Sequence, residues 1–146
     1  MIGYFEGSED PDRYVIIGNH RDAWVFGSMD PSSGTCVMLE VIRVLGKMYD
    51  QGWRPKRTIL FASWGSEEYG LIGSYEWVEE HLTKLTANSV VYINTDISVE
   101  GNHTFDPRGS PNMRQVVHEV AKLVQNPRQE FDGESYKTDE SSTIFL

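Results

Sequence analysis

The apolar residues of the chain fall into short runs separated by segments with helical spacing. Four strand-like runs cover residues 2–5, 14–17, 58–62 and 90–93. Between the last three runs, apolar residues recur at intervals of three and four positions, which is typical of amphipathic helices. Strands that alternate with helices are parallel in most folds and are joined by right-handed crossovers. The pattern predicts an α/β fold, in which a parallel-rich, mixed sheet is flanked by helices.

The first predicted helix begins at Ser32 or Ser33, either of which is a suitable N-cap, and ends before Gly52. Its apolar face is expected to comprise Val37, Met38, Val41, Val44, Leu45 and Met48. The single cysteine, Cys36, lies within this apolar stripe, so we expect a buried and unreactive thiol. One cysteine also excludes an internal disulfide.

Two further helices are predicted. One spans about residues 74–85 and is expected to bury four apolar side chains, Trp77, Val78, Leu82 and Leu85. The other contains Val116, Val117, Val120 and Leu123. We interpret residues 1–125 as one domain and residues 126–146, which are mostly polar and charged, as a C-terminal segment with poor order.

Composition and charge narrow the range of functions. The chain has 146 residues, of which 39% are hydrophobic and 12% aromatic, and this is enough for one domain with a core. A formal net charge of −9 argues against nucleic acid as a partner and leaves carboxylates available for cations. The N-terminus lacks the features of a signal peptide, and no apolar stretch approaches the ~20 residues of a membrane span. Neither segment is therefore expected in this chain.

Five residues that suit metal chemistry lie beyond the ends of the predicted strands or just ahead of the first helix: His20, Asp30, Glu67, Glu68 and Asp96. The carboxyl ends of neighbouring parallel strands face one crevice, so these side chains are expected to meet at one site. Four of them have an alternative role without a metal: His20 as a polar loop residue, Asp30 as a partner of the helix N-terminus, and Glu67 and Glu68 as an acidic start to a helix. Asp96 has the weakest alternative, because a carboxylate at this edge of a sheet rarely serves packing. Their joint position at three strand ends favours a metal site.

The number of ligands suggests how two metal ions would share these residues. Zinc takes about four ligands, and two zinc ions can share a carboxylate and a water. If Asp30 bridges the ions, His20 and Asp96 complete the first site, while Glu68 serves the second. Adjacent residues of an extended chain point in opposite directions, so the neighbour of one glutamate ligand could face the bound water. The second site then lacks one protein ligand.

Three further histidines could in principle supply the missing ligand, and one nearby carboxylate could support His20. We do not expect His81, His103 or His118 to complete the second site, because the first and last lie on predicted helices and His103 lies in a glycosylation sequon. Asp22, two residues beyond His20, is placed to hold the other ring nitrogen of that histidine and so fix its tautomer.

Four strings carry a specific resemblance. They are YVIIGNHRDAW at 14–24, DPSSG at 30–34, FASWGSEEYGLIGS at 61–74 and YINTD at 92–96. Together they resemble the glutamate carboxypeptidase II and acidic-dipeptidase-like branch of the co-catalytic zinc exopeptidase family. The resemblance extends to about residue 113 and implies a phosphorylase/hydrolase-like zinc exopeptidase fold, incomplete in this chain. Residues 1–125 would then be a partial catalytic domain.

The resemblance also implies roles for individual residues. His20 and Asp96 would bind one zinc ion and Glu68 the other; Asp30 would bridge them, and Glu67 would be the general base. The family's last zinc ligand is a histidine farther along the chain, which would account for the vacancy. Glu76 and Glu79 match calcium-binding positions, and Asn102 matches a glycosylated position.

The expected function is the hydrolysis of small peptides by a zinc-dependent exopeptidase of the carboxypeptidase or dipeptidase type. A water that bridges two Zn²⁺ would be the nucleophile, and Glu67 would take its proton. By resemblance, the full-length parent would be extracellular or membrane-anchored and a homodimer, with calcium as a further ion. Two alternatives remain: a non-catalytic receptor of the transferrin receptor type, and a zinc deacylase. We further predict a cis peptide bond between Asp30 and Pro31.

Overall fold

Four strands form one mixed sheet in the computed structural model of the chain, which describes residues 1–99 and 105–124. The strands are β1 (Ile2–Phe5), β2 (Asp10–His20), β3 (Arg57–Trp64) and β4 (Ser89–Asn94), in the spatial order β1-β3-β2-β4. β2 is parallel to both β3 and β4, and β1 is antiparallel to β3. The predicted α/β class and the mixed, parallel-rich sheet are therefore confirmed.

Helices cover both faces of this sheet. They are α1 (Ser32–Asp50), α2 (Ile72–Glu80) and α3 (Leu82–Asn88). On one face, Trp77 and Leu85 of α2 and α3 pack against a buried cluster formed by Tyr14, Ile16, Ala62 and Trp64. On the other face, Phe5 contacts Phe61 edge-on and also contacts Tyr49 of α1. Apolar contacts on both faces thus fix the strand ends that carry the candidate site.

The chain divides into two compact units, Met1–Glu100 and Gly101–Leu146. The first contains the whole sheet and helices α1 to α3. The described part of the second contains a short 3-10 helix, Pro111–Met113, followed by α4, Arg114–Leu123, which confirms the last predicted helix. Asn102 and the predicted C-terminal segment 126–146 lie outside the described residues, so both assignments stay predictions. No helix in the described ranges combines the length and hydropathy needed to cross a membrane.

The buried face and the N-cap of α1 differ from those expected, although Met38 is buried as predicted. Its buried face is centred on Gly34 and Met38, whereas Val37, Val44 and Met48 are exposed. Apolar residues occur around much of this helix, so spacing alone did not identify the face that meets the sheet. The N-cap is Pro31 rather than Ser32 or Ser33, and no side chain caps the helix. The Ser33 hydroxyl donates to the Met29 carbonyl oxygen.

Cys36 on the same helix is exposed rather than buried. It lies two residues from Met38, which is on the buried face, and so it points away from the sheet. Beyond the helix, Gly52 adopts a φ of +99°, as its predicted place after the C-terminus suggests. The Asp30–Pro31 peptide is cis, which confirms that prediction.

The predicted helix over residues 74–85 is instead two helices, α2 and α3. They separate at His81, whose φ of −109° and ψ of 14° leave the helical range. The His81 ring stacks on Trp77, and its Nδ1 atom lies 3.1 Å from the Trp77 carbonyl oxygen. Val78 and Leu82 are exposed rather than buried, whereas Trp77 and Leu85 pack against the core as expected. β2 also begins earlier than predicted, at Asp10, with an irregular register before Tyr14.

Candidate metal centre

Three side chains that can bind a metal meet at the carboxyl ends of the parallel strands. His20 is the last residue of β2, Asp96 lies two residues beyond β4, and Asp30 lies just ahead of α1. The His20 Nε2 atom is 2.8 Å from Oδ1 of Asp96 and 3.0 Å from Oδ1 of Asp30. One donor atom from each residue lies within 4.8 Å of the other two. The structure therefore brings together three of the five predicted metal-site residues in one group.

The sheet order explains this convergence. β2 is the strand between β3 and β4, so its last residue, His20, faces the segments that follow both neighbours. In register, His20 pairs with Trp64 at the end of β3, and Gly18 pairs with Asn94 at the end of β4. The polar segments after the strands therefore start at nearly the same level, which is the arrangement expected of ligand sites in parallel sheets.

Glu67 and Glu68 lie in the turn that follows β3. Oε2 of Glu67 is 3.7 Å from Nε2 of His20, so this carboxylate borders the three-residue group. Glu68 is half-buried beside it but is not a member of that group. Asp22 holds the turn in place: its Oδ1 accepts the backbone N–H of Glu67 at 3.1 Å, and its Oδ2 accepts that of Glu68 at 3.2 Å.

The electrostatics of the group favour a bound cation. Burial lowers the pKa of His20, but the hydrogen bond with Asp96 and the charges of Asp96, Glu67 and Asp30 outweigh it and raise the pKa above 6.5. Burial raises the pKa of Glu67, and the charges of Asp96 and Glu68 add to this effect, against the opposing influence of His20. Such clustered carboxylates repel one another, and a cation among them would relieve that repulsion.

The pKa of Asp22 shifts in the opposite direction from that of Glu67. Burial alone would raise its pKa, but the backbone N–H groups of Glu67 and Glu68 stabilise the charged form and lower it. Asp22 is thus held as a carboxylate. Its Oδ1 lies 3.6 Å from Nδ1 of His20, which is close but too long for a hydrogen bond. Asp22 therefore lies close to His20 without a hydrogen bond that would fix the tautomer of the ring. Its hydrogen bonds with the turn, in contrast, are direct.

Unsatisfied polar atoms indicate that the group fits a zinc ion. Nδ1 of His20 and Oδ1 of Asp30 are buried without a hydrogen-bond partner among the described residues. Oδ1 of Asp30 lies 3.0 Å from Nε2 of His20, on the side of the ring that faces Asp96. Because buried polar atoms are normally paired, a cation bound there would satisfy this oxygen. Nδ1 of His20 faces Asp22 on the other side of the ring and would not bind the same ion. One imidazole and two carboxylates are also ligands that zinc commonly takes in proteins.

Other candidate residues are not members of this group. His81 is engaged with Trp77, as described above, and His118 lies on α4 in the second unit. Glu76 and Glu79 are exposed on α2. Within the described residues, the group of His20, Asp30 and Asp96 is the one set of three or more potential metal ligands, so calcium binding at Glu76 and Glu79 stays a prediction.

Two residues beside the site were missed from the sequence. Asn19 and Thr35 contact each other and the backbone next to all three grouped side chains. A polar residue at the end of an apolar strand, on the face opposite the histidine, was the available signal for Asn19. No comparable signal marks Thr35, which follows an ordinary helix start.

Comparison with known proteins agrees with the fold and the residue pattern. Residues 1–144 match Peptidase family M28. The chain is 53% identical to aminopeptidase NAALADL1 of Rattus norvegicus over 128 residues, which cover 87% of this chain and 17% of that protein. It is 45% identical to the glutamate carboxypeptidase 2 homolog of Caenorhabditis elegans over 139 residues, or 94% of this chain and 18% of that protein.

A solved structure shows the same fold. The zinc aminopeptidase BSAP of Bacillus subtilis superposes with a TM-score of 0.68 at 28% identity, over 92% of this chain and 33% of that chain. The chain spans less than a fifth of the length of the two curated relatives, at 17% and 18%. The family match nevertheless covers almost the whole chain and confirms the resemblance to glutamate carboxypeptidases. The chain therefore belongs to Peptidase family M28.

Proposed function

We propose that the chain is part of a zinc-dependent exopeptidase that hydrolyses the terminal peptide bond of small peptides. The convergence of His20, Asp30 and Asp96, with Glu67 at their edge, carries this proposal. The name of the B. subtilis structure, a zinc aminopeptidase, supports the choice of metal. The curated relatives include both aminopeptidases and carboxypeptidases, so the proposal leaves the attacked terminus open.

The residues at the strand ends suit a pair of zinc sites. His20, Asp30 and Asp96 would hold one ion, and Asp30 would share a second ion with Glu68 and with a ligand that has not been identified. When bound, zinc would lower the pKa of a coordinated water and polarise the carbonyl group of the substrate. The half-buried position of Glu68, next to Glu67 and beside the first group, supports its assignment to the second ion.

Glu67 would act as the general base. Its carboxylate lies at the edge of the group, within 3.7 Å of His20, where it can reach a water beside the scissile bond. Its pKa is raised by burial and by neighbouring carboxylates, so it binds a proton more readily than an ordinary glutamate. Glu67 would take a proton from the attacking water and pass it to the leaving amine.

The alternatives differ in what they require of these residues. A non-catalytic receptor of the transferrin receptor type is not favoured, because that branch is marked by loss of metal ligands and this chain has His20, Asp30, Glu68 and Asp96. A zinc deacylase would use the same chemistry on a small amide, and no described residue favours it. The predicted glycosylation at Asn102, the homodimer and the extracellular location belong to the full-length parent and stay predictions.

The proposal can be tested with a full-length parent and a panel of short peptides. The panel contains one peptide with both termini free, one blocked at the amino end, one blocked at the carboxyl end and one blocked at both. We expect cleavage that requires a free terminus, disappears after chelation and returns with zinc. Asp96→Asn should abolish it, while Asp50→Asn, at the exposed end of α1, should not. Cleavage of the doubly blocked peptide, or cleavage that resists chelation, would contradict the proposal.

A further inference from the structure

Asn19 is fully buried, with 0% of its surface exposed, directly before His20. Its Nδ2 atom donates to the carbonyl oxygen of Thr95 at 3.0 Å and lies 3.5 Å from the carbonyl oxygens of Pro31 and Asp96. Its Oδ1 atom accepts a hydrogen bond from the hydroxyl of Thr35. A buried amide is costly unless its polar atoms are paired, and here both ends of the amide have partners.

Each of these partners adjoins one of the grouped side chains. Pro31 follows Asp30, and Thr95 precedes Asp96. The Thr35 hydroxyl also lies 3.3 Å from the carbonyl oxygen of His20. Adjacent residues of a strand point to opposite faces, so Asn19 extends toward α1 while His20 extends toward the metal group. Asn19 thus contacts the backbone that carries the three grouped side chains without being a ligand itself.

The backbone at this junction is closely packed. A Cβ atom on Gly34 would overlap the Thr95 carbonyl oxygen and lie 2.6 Å from Nδ2 of Asn19. The first turn of α1 is therefore seated directly on the segment that leads from β4 to Asp96. The strand register of β2 with β4 ends at Gly18 and Asn94. Beyond that point, the Asn19 amide links the two segments through the Thr95 carbonyl group.

We propose that Asn19 is a positioning residue that sets the spacing of His20, Asp30 and Asp96 for zinc. This inference rests on the proposed function, because it presumes that the group binds zinc. Loss of the Asn19 amide removes no ligand, but it frees the segments that carry the ligands to move apart. Groups that orient metal ligands typically contribute 10–100-fold, roughly, to metal affinity, and the same range is expected here.

The test measures zinc affinity by competition with a chromophoric chelator, together with the visible absorption of the Co²⁺ form of the 146-residue chain. Asn19→Asp keeps the acceptor for Thr35 but removes the donor, and Thr35→Val removes the hydroxyl with little change in shape. Thr35→Ser restores the hydroxyl. The matched control is Thr58→Val, because the Thr58 hydroxyl also donates to an oxygen acceptor, the carbonyl oxygen of Pro11 at 2.7 Å, and Thr58 is buried while Thr35 is half-buried.

We expect Asn19→Asp and Thr35→Val to weaken zinc binding by about 10–100-fold and to alter the Co²⁺ spectrum, with Thr35→Ser close to wild type. Thr58→Val should lose stability but keep the wild-type zinc affinity and spectrum. If Asn19→Asp does not fold, Thr35→Val against Thr35→Ser decides the question. If folded Thr35→Val binds zinc with wild-type affinity, the inference about Asn19 is overturned, while the proposed function still stands. If the wild-type chain binds no zinc, the proposed function fails and the inference fails with it.

Discussion

Nε2 of His20 lies 2.8 Å from Oδ1 of Asp96, although 76 positions of sequence separate the two residues. The contact exists because β2 and β4 are adjacent parallel strands, and each side chain lies at or just beyond a carboxyl end. His20 is 3% exposed, so this pair is a partly buried contact rather than a surface ion pair. A change in either strand end should therefore alter the metal group as a whole.

Substitution of the proposed base should separate catalysis from metal binding. Glu67→Gln in a full-length parent keeps the shape of the side chain but cannot accept a proton, and such transfers contribute ~10²–10⁴-fold. We expect turnover to fall by about that factor while the zinc content stays unchanged. Steady-state kinetics and metal analysis on the same preparation measure both. Turnover within a few-fold of wild type would refute the role of Glu67; joint loss of metal and activity would make it a ligand.

Asp22 should control the turn that carries both glutamates. Asp22→Asn replaces one carboxylate oxygen with an NH2 group, so the side chain can accept only one of the two backbone N–H groups, that of Glu67 or that of Glu68. We expect zinc affinity or turnover to fall by about 10–100-fold, as measured by zinc titration and kinetics. Asp50→Asn is the matched control at an exposed position. Equal behaviour of the two variants would show that Asp22 does not position the site.

Replacing a glycine of α1 with alanine should lower the free energy of unfolding at Gly34 and raise it at Gly46. Gly34→Ala places a methyl group against the Thr95 carbonyl oxygen, and such overpacking costs at least about 1–3 kcal/mol. Gly46→Ala meets only Phe5, at 4.0 Å, and should stabilise the helix by about 0.5–1 kcal/mol. Denaturant unfolding of both variants measures the free energy of unfolding. A stable Gly34→Ala chain would show that α1 does not rest on this segment.

The effect of zinc on stability should grow with pH. In the metal-free fold the pKa of His20 lies above 6.5, so protonated His20 stabilises that fold fully below the unfolded pKa, and the contribution is lost as pH rises through the folded pKa. Zinc requires neutral His20, so protons compete with it at low pH. We expect the zinc-induced rise in Tm to be small near pH ~5 and large near pH ~8. An increment independent of pH over that range would contradict this.

The sheet and its site-bearing ends could be predicted because they depend on local and regular features. Apolar runs marked the strands, and the rule that parallel strand ends converge placed His20 and Asp96 together before any coordinates. The cis Asp30–Pro31 bond was also predicted and is present. The convergence of the strand ends required only the order of the elements along the chain, whereas the cis bond was predicted from the place of Asp30 at the site.

Other features depend on tertiary contacts that one sequence does not encode in an obvious pattern. Gly34 lies on the buried face of α1, against the segment that follows β4, and Val37 and Val44 were assigned to the wrong side of the helix. The helix breaks at His81, whose ring stacks on Trp77, and no helix propensity describes that contact. Asn19 and Thr35 were missed because their roles arise from backbone carbonyl groups brought together only in the fold.

If His20, Asp30 and Asp96 form a zinc site, the zinc content of the chain at a fixed low level of free zinc will show it. The described residues hold one group of three donors, so we expect about one zinc per wild-type chain, since a catalytic zinc site takes about three protein ligands and a water. Asp96→Asn should lose that zinc, and Asp50→Asn should keep it. No zinc in the wild-type chain, or undiminished zinc in Asp96→Asn, would contradict the account.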